Sequence, residues 1–126
     1  MRTFSKFRLS STVSCTTSSH MRSLLDAFVA THSTNNSRAV RLALLNYADK
    51  AGTISVPDIY QPRHPAHPEL TPTTINLSIK PESLRNEYEA HAISYGITMS
   101  ELVLRCMYAH LVIADDQKQD LLLFKT

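Results

Sequence analysis

Residues 73–113 read TTINLSIKPESLRNEYEAHAISYGITMSELVLRCMYAHLVI, and this stretch decides the fold. At its start the apolar side chains Ile75, Leu77 and Ile79 are separated by polar ones. A period of two is typical of a strand with one buried and one solvated face. Pro81 then ends the strand, and it suits the first turn of a following helix because its missing N–H costs nothing there.

Two amphipathic helices are predicted after the strand. Leu84, Tyr88 and Ala92 recur at helical spacing, and Gly96 suits the left-handed residue that ends a helix. Thr98 is a favourable N-cap for the second helix. The residues expected to be buried in that helix are Leu102, Val103, Cys106, Met107, His110 and Leu111, with Arg105 on the solvent side.

One strand and two short helices cannot bury their own apolar faces, so this unit needs a partner. A weaker copy precedes it in the chain. Residues 36–45, NSRAVRLALL, align with residues 99–108, sixty-three positions later, and Asn35 takes the cap position of Thr98. The sequence therefore predicts a second, degenerate strand-helix-helix unit in the N-terminal half.

The sequence is compatible with two registers for the strand of this first copy. Val13 and Cys15 match Leu77 and Ile79 if one residue is inserted, whereas a strand built on Phe7 and Leu9 needs several insertions. The predicted organisation is an N-terminal unit over residues 1–51, a Pro-rich linker over 52–72, a C-terminal unit over 73–113 and an acidic and apolar tail over 114–126.

The composition favours a soluble protein that binds a polyanion. The 126 residues are 43% hydrophobic and 19% charged, and they contain no run of about 18 apolar residues that would cross a bilayer. Up to Ala51 there are seven Lys and Arg against two acids, and beyond it six against nine. The two distant cysteines, Cys15 and Cys106, favour a reducing cytoplasm. A basic first half suits nucleic acid.

The residues of the C-terminal unit resemble the ribbon-helix-helix family of the Arc, MetJ and CopG repressors. Two motifs carry the resemblance: the strand INLSI followed closely by Pro81, and the turn GITMSE, which starts at Gly96 and is similar to the family's Gly-x-Ser-x-Ser-Glu turn. With the N-terminal copy, the layout resembles the tandem, single-chain TraY-type relaxosome accessory proteins of conjugative plasmids. The implied fold is mainly α with a two-stranded antiparallel ribbon, as a tandem ribbon-helix-helix pseudo-dimer in one chain.

In this family the ribbon enters the major groove of double-stranded DNA, with four helices behind it. The base contacts that the resemblance implies are Thr74, Asn76 and Ser78 from one strand and Arg8, Ser10 and Thr12 from the other. The implied phosphate contacts are Thr98, Met99, Ser100, Asn35, Asn36, Ser37, Lys80 and Lys6. Asn76 is the leading candidate, because an amide pairs with N7 and N6 of adenine. Since the two strands differ, one chain is expected to read an asymmetric site rather than a palindrome.

The resemblance implies sequence-specific DNA binding by a conjugation accessory protein or a transcription regulator. The alternative is an autoregulating repressor or antitoxin whose tail, residues 115–126, docks on a toxin. A third possibility makes the acid-free first 25 residues a targeting segment and the rest an interaction module. The expected partners are double-stranded DNA, further copies side by side on it, and a relaxase or a toxin, with no membrane.

No enzymatic activity, metal or cofactor is expected from the sequence. His64 and His67 lie close together in the linker, but no Cys or carboxylate set supports them as metal ligands. The other histidines have no nucleophile and orienting acid beside them in a recognisable arrangement.

Overall fold

The structure is a computed structural model that describes residues 12–114, and it consists of four α-helices and a two-stranded sheet within that range. In chain order the elements are β1 (Thr12–Ser18), α1 (Ser19–Thr31), α2 (Asn36–Tyr47), the 3-10 turns Ala48–Thr53 and Asp58–Tyr60, β2 (Pro72–Ser78), α3 (Glu82–Tyr95), α4 (Met99–Tyr108) and a π-helical turn Ala109–Ile113. The order strand-helix-helix therefore occurs twice. The prediction of a mainly helical protein with a two-stranded antiparallel ribbon is confirmed.

The two strands pair antiparallel with each other along seven residues each, from Thr12 opposite Ser78 to Ser18 opposite Pro72. The alternation in β2 is confirmed, because Ile75 and Leu77 are each 2% exposed. An antiparallel pair of this kind has one face on the core and one face in solvent. The inward set consists of Val13, Cys15, Thr17, Ile75 and Leu77, and Ile79 continues it beyond the end of β2.

In the N-terminal half, β1 places two of the predicted apolar residues on the core. Val13 and Cys15 are buried, as one of the two predicted registers requires, whereas Phe7 and Leu9 lie outside the described residues. Thr17 and Ser18 are also buried, which their polarity did not predict. Their burial is possible because both hydroxyls have hydrogen-bond partners.

Those partners come from the segment that was predicted to be a linker. The Thr17 hydroxyl donates to the Tyr60 carbonyl at 2.9 Å, and the Ser18 hydroxyl donates to the Ile59 carbonyl at 2.7 Å. The N–H of Ser19 donates to the carbonyl of Thr71 at 2.9 Å. The segment between the two halves is thus packed against the junction of β1 and α1.

The residues predicted to cap the helices lie at the helix ends. The Asn35 side chain accepts the N–H of Arg38 at 2.9 Å, and the Thr98 hydroxyl accepts the N–H of Glu101 at 3.1 Å. Each satisfies one of the N–H groups that the first turn of a helix leaves without an intrahelical partner. Gly96 ends α3 with φ 72°, in the left-handed region that glycine enters without strain.

One hydrophobic core is shared by both halves of the chain. Helices α2 and α4 pack against each other beneath the ribbon. The largest fully buried apolar side chains are Met21, Leu25, Val40 and Leu44 from the first half and Ile75, Leu77, Ile79, Leu102, Val103, Leu104 and Met107 from the second. Neither half buries its apolar surface alone, as the sequence indicated.

The prediction that Arg105 lies on the solvent side of α4 is wrong. Its side chain is only 22% exposed. Nη1 donates to the Ala51 carbonyl at 3.0 Å, and Nε donates to Glu101 Oε2 at 3.1 Å. The Tyr95 hydroxyl donates to the Ala48 carbonyl at 2.9 Å. Arg105 therefore holds the 3-10 turn after α2 against α4. This contact depends on the tertiary fold, and the helical periodicity of the sequence does not indicate it.

His110, which was expected to be buried, is half-buried at the π-helical turn after α4. Its ring packs edge-on against Phe28 with the centroids 5.1 Å apart, and Nε2 is buried without a hydrogen-bond partner among the described residues. Burial lowers the pKa of this imidazole, and the nearby His32 lowers it further. The neutral form is therefore favoured in the folded state.

The protein should consequently lose stability as the pH falls below about 6.5, the ordinary pKa of histidine. A histidine whose pKa is lower in the folded state is neutral in both the folded and the unfolded state above that pH. Below that pH the unfolded chain binds the proton more tightly, so protonation favours unfolding. Urea unfolding between pH 7.5 and pH 5 checks this expectation. His110→Gln should flatten the pH dependence, and an unchanged slope in that variant would assign the effect to another group.

Candidate nucleic-acid interface

The outward face of the ribbon consists of hydrogen-bonding side chains without a formal charge. Its six residues are Thr12, Ser14 and Thr16 from β1 and Thr74, Asn76 and Ser78 from β2. Four of them are exposed, while Thr16 and Ser78 are half-buried. Hydroxyl and amide groups both donate and accept, which is the chemistry of the base edges in a DNA groove.

Two cross-strand hydrogen bonds order this face. The Ser14 hydroxyl donates to Asn76 Oδ1 at 2.8 Å, and the hydroxyls of Thr16 and Thr74 lie 3.4 Å apart. Because a carbonyl oxygen has two lone pairs, Asn76 Oδ1 retains one acceptor site. Asn76 Nδ2 donates to no group within residues 12–114. The amide therefore presents both a donor and an acceptor to solvent.

Helices α2 and α4 each contact the ribbon through the side chain of the serine at their second position. The Ser37 hydroxyl oxygen accepts the N–H of Ser78 at 2.9 Å, and the Ser100 hydroxyl oxygen accepts the N–H of Thr16 at 3.2 Å. Ser78 is paired with Thr12, whereas Thr16 lies four residues further along β1. The two helix N-termini thus flank the ribbon towards its opposite ends.

These N-termini have backbone N–H groups that the helices do not use. In α2 the first helical hydrogen bond runs from Ala39 to Asn35, so the N–H groups of Asn36 and Ser37 precede it. In α4 the first such bond runs from Leu102 to Thr98, and the corresponding N–H groups are those of Met99 and Ser100. Free N–H groups and the positive end of the helix dipole make such positions suited to phosphate.

The two N-termini differ in charge. Arg38, in the first turn of α2, is exposed and forms no ion pair with the residues described. Glu101 occupies the same place in α4 and is paired with Arg105. Arg38 was missed by the sequence analysis, although its position three residues after the Asn35 cap was a usable signal. Lys80, a predicted phosphate contact, is exposed two residues beyond Ser78.

The structure brings most of the predicted contact residues together. Thr74, Asn76, Ser78 and Thr12 share the outer ribbon face, and the predicted phosphate residues of α2 and α4 lie at the helix starts beside it. Lys6, Arg8 and Ser10 lie outside the described residues. Ser14 and Thr16 complete the face, and Thr16 was not predicted, because the strand was expected to use residues nearer the N-terminus.

Other kinds of site find little support in residues 12–114. Burial raises the pKa of Cys15 to about 11 and that of Cys106 to about 12, so both thiols stay protonated at neutral pH. No group of three or more His, Cys, Asp or Glu side chains in this range is placed to hold a metal ion.

Within the same range no single helix is long and apolar enough to cross a membrane. The pair α3 and α4 with its π-helical turn meets the requirement jointly, by length and composition, but is bent by 93°. Comparisons with protein-family models, curated proteins and solved structures give no match for this chain.

Proposed function

We propose that the chain is a sequence-specific double-stranded DNA-binding protein that inserts the ribbon of β1 and β2 into the major groove. The observation that carries the proposal is the outer ribbon face, where six uncharged hydrogen-bonding side chains lie between two helix N-termini. Such a face reads base edges, while the N–H groups beside it bind the phosphates that border the groove.

The dimensions of a two-stranded ribbon support this mode of binding. Paired strands lie about 4.8 Å apart, and the major groove is about 12 Å wide, so a ribbon with its side chains fits into it. An apolar or strongly charged face would favour a protein or a membrane partner instead. Since the outer face carries only hydroxyls and one amide, base edges are the partner that its chemistry matches best.

The two serine contacts also support a tandem ribbon-helix-helix arrangement, in which one chain supplies both halves of a pseudo-dimer. Ser100 follows Ser37 by 63 positions, and the strand residues they contact, Thr16 and Ser78, are 62 positions apart. The offset between the two halves therefore changes by one residue between the strand and the first helix of each half. This equivalence relates Val13 to Ile75, two residues before Leu77, with which Val13 was matched in the predicted register that needs one inserted residue.

Within this function we propose the role of a TraY-like conjugation accessory protein or of a transcription regulator. Both roles require specific binding to a duplex, and the two-unit layout is the feature that motivates the first of them. The autoregulating repressor or antitoxin remains the second candidate, and its distinguishing feature, a tail that docks on a toxin, lies in residues 115–126, beyond the described range.

Selection from a random pool of 30-base-pair duplexes tests the proposal. We expect the retained duplexes to share a sequence and the affinity for it to fall steeply with salt, because phosphate contacts release counterions. The measurement is the dissociation constant at several salt concentrations, with a shuffled duplex as the control. Retained duplexes without a common sequence would contradict specific binding.

A further inference from the structure

The two strands of the ribbon can be compared position by position. Thr16 and Ser78 are equivalent, because Thr16 donates its N–H to the serine at the second position of α4 and Ser78 donates its N–H to the serine at the second position of α2. Counting back from this pair makes Thr12 equivalent to Thr74 and Ser14 equivalent to Asn76. Two of these three equivalent pairs consist of hydroxyl side chains, with Thr16 and Ser78 differing by one methyl group, and only Ser14 and Asn76 differ in the kind of polar group.

The pair that differs in the kind of polar group lies at the centre of the ribbon. The register places Ser14 directly opposite Asn76, so these equivalent residues are also cross-strand partners. Two equivalent residues face each other only where an approximate twofold axis passes between them. On either side of the axis the remaining pairs each consist of two hydroxyl side chains, with Thr12 opposite Ser78 and Thr16 opposite Thr74.

The central pair has a defined orientation. Ser14 donates its hydroxyl to Asn76 Oδ1 at 2.8 Å, which turns Oδ1 towards β1 and leaves Nδ2 free to donate outward. An amide with a donor and an acceptor side by side matches N7 and N6 of adenine. Guanine presents two acceptors, O6 and N7, and would leave the Asn76 acceptor without a partner. Ser14 acts here as a positioning residue.

We infer that the protein reads a near-palindromic DNA site whose halves are alike except beside the centre, where Asn76 alone selects an A·T pair. The inference rests on the proposed DNA-binding function. It differs from the expectation of two unlike half-sites, because the described residues of β1 that face outward, Thr12, Ser14 and Thr16, largely repeat the chemistry of β2, whereas Arg8 and Ser10 lie outside the described residues. Among the six outer residues the two halves thus differ in the kind of polar group at one position.

Selected duplexes and two variants of the full chain test the inference. For the wild type we expect flanking bases related by an inverted repeat and one A·T pair beside the centre. Replacing that pair by G·C should weaken binding by about tenfold or more. Asn76→Ser should abolish this preference and select a palindrome, and Ser14→Ala should lower the preference for A·T over G·C by several-fold.

The outcomes separate this inference from the function on which it rests. Flanking sequences without inverted-repeat symmetry, or an Asn76→Ser variant that still prefers A·T, would overturn the inference while leaving DNA binding in place. Absence of any sequence preference in the wild type would overturn the proposed function and the inference together. Circular dichroism of each variant checks that it folds, and the ratio of affinities for the A·T and G·C duplexes isolates base reading from general weakening.

Discussion

Leu44→Ala is expected to lower the free energy of unfolding by about 2–5 kcal/mol, the usual cost of deleting a large core side chain and leaving a cavity. Leu44 is fully buried in α2, which packs against α4 from the other half of the chain. The lost contacts therefore belong to both halves, and the whole transition should shift. Urea denaturation followed by circular dichroism measures the change.

The neighbouring residue provides a matched control. Leu45 is 70% exposed, so Leu45→Ala should change the free energy of unfolding by no more than about 0.5 kcal/mol. Leu102→Ala, in α4, should shift the same single transition as Leu44→Ala, because both side chains fill one core. Two separate transitions, with only one of them sensitive to Leu44, would show that the halves fold independently.

Asn76→Asp is expected to weaken specific DNA binding by about a hundredfold. The change alters almost no volume, and it keeps Oδ1 as the acceptor for the Ser14 hydroxyl. It removes the Nδ2 donor, and it places a negative charge in a groove lined by phosphates, where like charges repel. Electrophoretic mobility shift with the selected duplex measures the loss.

Asn46→Asp makes the same chemical change on a different surface. Asn46 is exposed near the end of α2, nine residues beyond Ser37 and so about 13 Å along the helix from the ribbon. Its replacement should reduce affinity by less than about threefold, through net charge alone. Equal losses in the two variants would mean that the ribbon is not the contact surface.

The C-terminal half could be predicted from local sequence because several independent signals agree there. The alternation of Ile75, Leu77 and Ile79 gave the strand and its inner face, and the glycine at position 96 and the cap at Thr98 gave the break between the helices. Each of these features depends on residues within one or two turns of chain. The local sequence was therefore sufficient to predict the secondary structure of this half.

The N-terminal strand was harder to place because its inner face is partly polar. Thr17 is fully buried, yet nothing near it in sequence marks it as a core residue. Its hydroxyl is satisfied by the carbonyl of Tyr60, 43 positions away, so its burial depends on the tertiary fold. The contact between Arg105 and the carbonyl of Ala51, 54 positions apart, escaped prediction for the same reason.

The candidate site was predictable in part. Thr74, Asn76 and Ser78 follow directly from strand alternation, but Ser14 became important only through its cross-strand hydrogen bond to Asn76. Register between distant strands is fixed by packing and by the helix contacts of Ser37 and Ser100. These are relations between segments, and a single strand pattern does not contain them.

The most direct test of the account is an NMR titration of the full chain with the selected duplex. The account predicts that the largest amide shifts fall on residues 12–16 and 74–78 and on the helix starts at residues 36–38 and 99–101. Residues of the 3-10 turns Ala48–Thr53 and Asp58–Tyr60 should shift little, because they pack away from the outer ribbon face. Large shifts confined to α1, α3 or those turns, with the ribbon unperturbed, would contradict the claim that the ribbon binds DNA.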